Sequence, residues 1–134
     1  MNNTQIIQKL QSSNSRLFKE EVILNEMKKG NVSFFDGLTL TYNRQLTFGV
    51  KKVPESLNDG PGIEWTEFKQ LADKLLKREL TGHAARDEIQ NLMQKSKKDE
   101  WNFFFRRILQ KDIRCGLSEK TINNVAKKNN YNNF

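Results

Sequence analysis

One cysteine and one histidine leave this chain short of the residues that most small catalytic or metal-bound proteins rely on. Cys115 has no second cysteine to pair with, so an internal disulfide framework is excluded. A structural zinc site takes about four Cys or His ligands, and Cys115 and His83 fall short of that set. Nucleotide-binding and hydrolase signatures are missing as well: there is no Gly-x-x-x-x-Gly-Lys-Ser/Thr loop, no Gly-x-Ser-x-Gly elbow and no His-Glu-x-x-His helix. A nucleophile and base pairing has only His83 to recruit, with no Ser or Cys standing out beside it. No apolar run reaches the roughly 18 to 20 residues of a membrane span, and the start, Met-Asn-Asn-Thr-Gln, lacks the charged and apolar segments of a signal peptide. The expectation is a soluble, cytoplasmic and monomeric protein with no catalytic residue and no metal, in which Cys115 is a small buried or turn residue. Both prolines, Pro54 and Pro61, fall within residues 51–62 beside Gly60 and Gly62, which marks that stretch as a loop.

What the chain does hold suits one helical domain. Its 134 residues are 36% hydrophobic, and nine Phe and two Trp supply bulk for a core. Ile6, Ile7 and Leu10 predict a short first helix, broken by residues 11–15. Leu17, Ile23, Leu24 and Met27 predict a second over residues 15–29, ended by Gly30. Between 31 and 50 the pattern favours a helix through Phe34, Phe35, Leu38 and Tyr42, followed by an extended segment with strand-like Thr47, Phe48 and Val50. Helical spacing returns at Phe68, Leu71, Ala72 and Leu75 (residues 64–79), and at Ala85, Ile89, Leu92 and Met93 (residues 82–96), with Thr81 as the N-cap between them. Trp101, Phe104, Phe105, Ile108 and Leu109 make the heaviest apolar stripe, on a helix over 98–112 that reads as core. A last helix starts at Ser118, where Leu117 and Ile122 have hydrophobic-staple spacing. The expected fold is all-α, a compact orthogonal bundle of six to seven short helices over residues 1–126, with residues 127–134 a linker or flexible tail.

Twenty-three Lys and Arg against sixteen Asp and Glu leave a net charge of +7, which biases the surface towards polyanions. Acidic pairs such as Glu20 with Glu21 and Asp87 with Glu88 lie on predicted helices among basic residues, where a solvated face accounts for them. Two helix starts combine a capping hydroxyl with glycine, an arrangement that lets a phosphate approach backbone amides at the positive end of the helix dipole. Thr81, Gly82 and His83 form the first. Arg114, Gly116, Ser118, Lys120 and Thr121 form the second. Arg44, Lys51 and Lys52 add a basic element in the irregular segment. The bland alternative is that both starts are ordinary caps with glycine serving the turn. Arg106 and Arg107 are available either to a polyanion or to neighbouring acidic residues, with structural use the preferred reading.

Taken in order, three segments resemble the N-terminal DNA-binding domain of T-even-phage-type ATP-dependent DNA ligases. They are Leu40 to Arg44 with Lys51 to Pro54, then Leu80 to Ala85, then Arg106 to Ile108 continuing through Lys111 to Ser118 and on to Ile122 and Asn123. The resemblance implies a helical domain docked on the minor-groove side of a nicked duplex, while a nucleotidyltransferase domain and an OB-fold domain complete a clamp. It further implies that Arg44, Lys51 and Lys52 hold the DNA backbone and that the two helix starts bind phosphates. That family seals nicks with ATP and magnesium through a lysine in a Lys-x-Asp-Gly motif. Here Asp36-Gly37 and Asp59-Gly60 are preceded by Phe34 and Leu57 at the lysine position, so no catalytic lysine and no cofactor is carried over to this chain. The tail is expected to lead towards a catalytic domain. The competing reading is a basic helical protein-interaction module of a phage accessory protein. A helix-turn-helix regulator fits less well, since no helix carries the Arg, Asn and Gln set that reads base edges.

Overall fold

The computed structural model describes residues 2–131. Seven helices and no strand occur among them: α1 (Asn3–Gln11), α2 (Arg16–Lys29), α3 (Val32–Tyr42), α4 (Trp65–Leu76), α5 (Gly82–Lys95), α6 (residues 98–109) and α7 (Glu119–Lys128). None is long and apolar enough to cross a membrane. The starts follow local chemistry. Asn2 and Gln5 form a reciprocal capping box on α1, and Ser15 accepts from the Phe18 amide on α2. Asn31 caps α3 through the Phe34 amide, and its Nδ2 also donates to Asn3 and Glu26, so one side chain ties the ends of three helices together.

The expected core helix is there, with a difference. Its first turn, Lys98–Glu100, and its last, Arg106–Leu109, are α, but Trp101–Phe105 forms a π turn in which the Arg106 amide reaches the Trp101 carbonyl. Trp101, Phe104, Phe105, Ile108 and Leu109 are all buried, and α1, α3 and α4 pack around them. Phe68 of α4 stacks on Phe105 at 4.6 Å between ring centroids, and Trp65 lies 5.9 Å from Phe104. On α3, Gly37 is what lets the two helices meet: a Cβ there would stand 2.7 Å from Phe104 and 2.9 Å from Ile108. α7 lies against α2, burying Ile122, Val125 and Ala126, with Leu117 buried beside them as the staple spacing predicts.

Several boundaries and faces depart from the expectation. α4 stops at Leu76 rather than 79 and α6 at Leu109 rather than 112, because the next turn in each closes on a left-handed residue. Arg78 (φ 61°) and Lys111 (φ 60°) hold that position, with Glu79 N–H bonding Lys74 O and Asp112 N–H bonding Arg107 O across the turn. Glycine is the usual occupant and ends α2 at Gly30, so the long cationic side chains conceal these two stops from a sequence reading. On α2 the apolar face expected to include Leu17 does not, since Leu17 is 78% exposed, and Lys19 and Glu26 are buried in that helix instead. The segment after α3, residues 43–50, is irregular and forms no strand, in keeping with the expected all-α fold. α7 runs through Lys128, past the expected domain end at 126; of the expected tail, residues 132–134 lie outside the described residues.

Candidate functional site

The irregular segment after α3 has no ladder of its own, so other elements satisfy its backbone. Lys111 donates from Nζ to the carbonyls of Leu40 (2.9 Å), Asn43 (2.6 Å) and Leu46 (2.6 Å). Arg78 donates to Thr47 Oγ1 at 2.8 Å. Farther along, one edge of α6 takes over: Arg106 Nε donates to Val53 O, Trp101 Nε1 to Pro54 O, and Asn102 both accepts from the Ser56 amide and donates to the Ser56 carbonyl. Burial lowers the pKa of the Lys111 ammonium from its ordinary value. Within this segment Arg44, Lys51 and Lys52 are exposed, with no ion-pair partner among the described residues.

Thr81 sits at the N-cap of α5, but its hydroxyl makes no capping bond, contrary to the expected capping hydroxyl. Gly82 follows at φ 57° with open space where a Cβ would stand, and Thr81, Gly82 and His83 are all exposed. This helix start opens onto a groove of about 980 Å³. Residues 49–55 form one wall of the groove, the Gly82 to Met93 face of α5 the other, and Arg106 and Gln110 contribute from α6. The fold therefore brings Lys51, Lys52 and Gly82 to a single site, although they lie on separate segments. It adds two residues that the sequence reading missed, Arg86 and Gln90. Their signal was available, because both follow Gly82 at helical spacing and lie off the buried Ala85 and Ile89 positions.

The second helix start is built differently. Ser118 Oγ accepts from the Thr121 amide at 3.1 Å and lies 2.9 Å from the Thr121 hydroxyl, so this cap is already satisfied from within. Acidic Glu119 occupies the first turn of α7. Gly116 (φ 67°) serves the fold: a Cβ would stand 2.3 Å from the ammonium of Lys19, which donates to the carbonyls of Cys115 and Gly116. Arg114, also left-handed at φ 57°, pairs with Asp112 at 3.5 Å on the surface. Lys120 is exposed with no ion-pair partner among the described residues. Neither these residues nor Arg44 line the groove. They flank the turn where the Tyr42 hydroxyl bonds the Leu117 carbonyl, and burial, followed by the charges of Cys115, Asp112 and Glu119, raises the Tyr42 pKa.

Arg106 and Arg107 are taken up by the fold. Besides Val53, Arg106 approaches Glu55 at 3.7 Å, while Arg107 donates to Gln11 and to the Ile113 carbonyl and lies over the Phe103 ring. Cys115 is buried, which pushes its thiol up to about 11 from 9.0 and keeps it protonated and unreactive at neutral pH. Among the described residues no group of three or more His, Cys, Asp or Glu is placed to hold a metal ion.

No family model matches this chain. It is 31% identical over 116 residues to the DNA ligase of Enterobacteria phage T4, an alignment covering 80% of this chain and 23% of that ligase, and the DNA ligase of Enterobacteria phage T6 matches to the same extent. Among solved structures, Pmar-Lig_Pre. superposes with a TM-score of 0.93 at 47% identity, covering 96% of this chain and 30% of that one. Pmar-Lig_PreS3 gives the same TM-score and identity over 97% of this chain and 30% of its own. The ordered segments, the helical architecture and these matches agree: this chain is homologous to the bacteriophage T4 and T6 DNA ligases over a segment amounting to 23% of their length.

Proposed function

We propose that this domain binds duplex DNA without regard to sequence, gripping the sugar–phosphate backbone from the minor-groove side. In that role it positions a nick for sealing by the nucleotidyltransferase domain of an ATP-dependent DNA ligase, where ATP and magnesium act. The observation that carries the reading is the convergence on one groove of Lys51 and Lys52, which have no ion-pair partner among the described residues, with the start of α5, which no side chain caps. A helix start whose amides no side chain answers, facing two cations, is suited to phosphate oxygens. In this reading Thr81, Gly82 and His83 offer backbone amides, and Arg44, Lys51 and Lys52 offer charge. Arg114, Gly116, Ser118, Lys120 and Thr121 form a second backbone contact, led by Lys120 because the Ser118 cap is internally satisfied. Residues beyond the helical domain lead towards the catalytic domain.

The test uses exposed lysines, so the fold is expected to survive their replacement. Lys52→Glu and Lys120→Glu are each expected to lower affinity for a nicked duplex by about tenfold and to reduce the salt slope by about one or more. Melting temperatures should not change. If both variants fold and bind DNA as tightly as the parent, the basic surface serves an acidic protein partner instead.

A further inference from the structure

The groove beside α5 has features that phosphate binding alone does not explain. Arg86 stands one turn beyond Gly82, is exposed, and has no hydrogen bond or ion pair among the described residues. With Lys51 and Lys52 opposite, the rim is cationic on both sides, and the one lining carboxylate, Glu55, is already 3.7 Å from Arg106. Between the rims Val50, Pro54, Ala85, Ile89 and Met93 make an apolar strip, with the amides of Gln90 and Gln110 beside it. A small hydrated anion gains nothing from such a floor. A polymer that alternates charged groups with apolar rings fits both parts of it.

The geometry points to this groove as the seat of a single deoxyribose–phosphate strand, with Arg86 and the Lys51–Lys52 pair taking phosphates and the C–H faces of the sugars lying on Val50, Ile89 and Met93. The inference rests on the DNA-binding reading and deepens it by assigning Arg86 as a contact and sugar identity as a determinant. On the strip made by Val50, Ile89 and Met93 a ribose 2′-hydroxyl would meet no acceptor side chain, and a hydroxyl desolvated without a partner is penalised. The walls are fixed enough to enforce this, because residues 53–56 are bonded along the edge of α6 by Arg106, Trp101 and Asn102.

Fluorescence anisotropy with the full chain tests the assignment, using a nicked duplex in which a pair of ribonucleotides is stepped along one strand. The parent should lose about five- to tenfold in affinity at one or two adjacent steps and little elsewhere. Arg86→Ala should weaken binding to the all-DNA duplex by about fivefold at an unchanged melting temperature. Met93→Gln, which places an amide on the floor, should shrink the loss at the sensitive step. Uniform affinity at every step, or an Arg86→Ala variant that binds as the parent while Lys52→Glu binds weakly, overturns the strand seat and leaves the DNA-binding reading in place. Absence of binding by the parent to any duplex overturns both. If Met93→Gln unfolds, the stepped ribonucleotides and Arg86→Ala decide the question between them.

Discussion

Lys111 shows how much structure one side chain can organise. In a left-handed turn it gives up about 1 kcal/mol of backbone strain, yet its ammonium answers the Leu40 carbonyl at the end of α3 and those of Asn43 and Leu46 in the segment that follows. Lys111→Met keeps the length and removes the donors, and is expected to destabilise the domain by about 2–4 kcal/mol, read as a lower urea midpoint. Lys111→Gly relieves the strain and should still be destabilising. Cys115 supplies a prediction in pH. Its folded pKa of about 11 lies above the ordinary 9.0, so the folded state holds the thiol proton more tightly than the unfolded one. Its contribution is therefore fully present below pH 9 and is lost as pH rises through 11, an effect of at most about 2–3 kcal/mol. Raised Tyr42 acts in the same direction at higher pH. Urea midpoints measured from pH 8 to 11 should fall for the parent and fall less for Cys115→Ala, relative to each protein's own value at pH 8. The sequence left Cys115 as a buried or turn residue, but the three-carbonyl role of Lys111 was not legible at all, because its partners lie 65 to 71 residues away.

Elements differ in ways that the sequence makes look alike. Two helix starts, each with a hydroxyl residue and a nearby glycine, suggest one device used twice. Packing separates them, because Ser118 bonds the Thr121 amide whereas Thr81 makes no cap bond. Ser118→Ala is therefore expected to cost about 1 kcal/mol and Thr81→Ala less than about 0.5 kcal/mol, measured as thermal stability shifts of the two single variants. Equal losses would mean that the Thr81 hydroxyl caps α5 in solution. The aromatic stripe on α6 follows directly from helical spacing, and its burial is complete. The π turn within it was not legible. Its i to i+5 bond shifts residue spacing too little over five residues to announce itself.

At the scale of the whole molecule, a net charge of +7 says that polyanions are attracted and nothing about where they sit. The fold spends part of that charge internally, through Lys19, Arg78, Arg106, Arg107 and Lys111, and leaves Lys51, Lys52, Arg86 and Lys120 outside with no ion pair among the described residues. If about five phosphates are neutralised at the two contact regions, the logarithm of affinity for duplex DNA should fall against the logarithm of salt concentration with a slope of roughly −4 to −5. Titrations between low and moderate salt measure this directly, and a flat response counts against a backbone-gripping mode.

Helix positions, the aromatic core, the loop carrying both prolines and the basic character follow from the sequence alone. Each depends on residue identity and on spacings of three or four positions, where a helix repeats itself. The ordered segments likewise pointed to the ligase resemblance. Which cations remain free, which helix start stays open and which residues share a groove were decided only by the tertiary structure. Lys19 reaches a carbonyl 96 positions away, and Arg106 one 53 positions away, so their commitment depends on how distant helices pack. Local periodicity holds no information about those meetings, and the groove that joins residues 49–55 to α5 exists only once they have taken place.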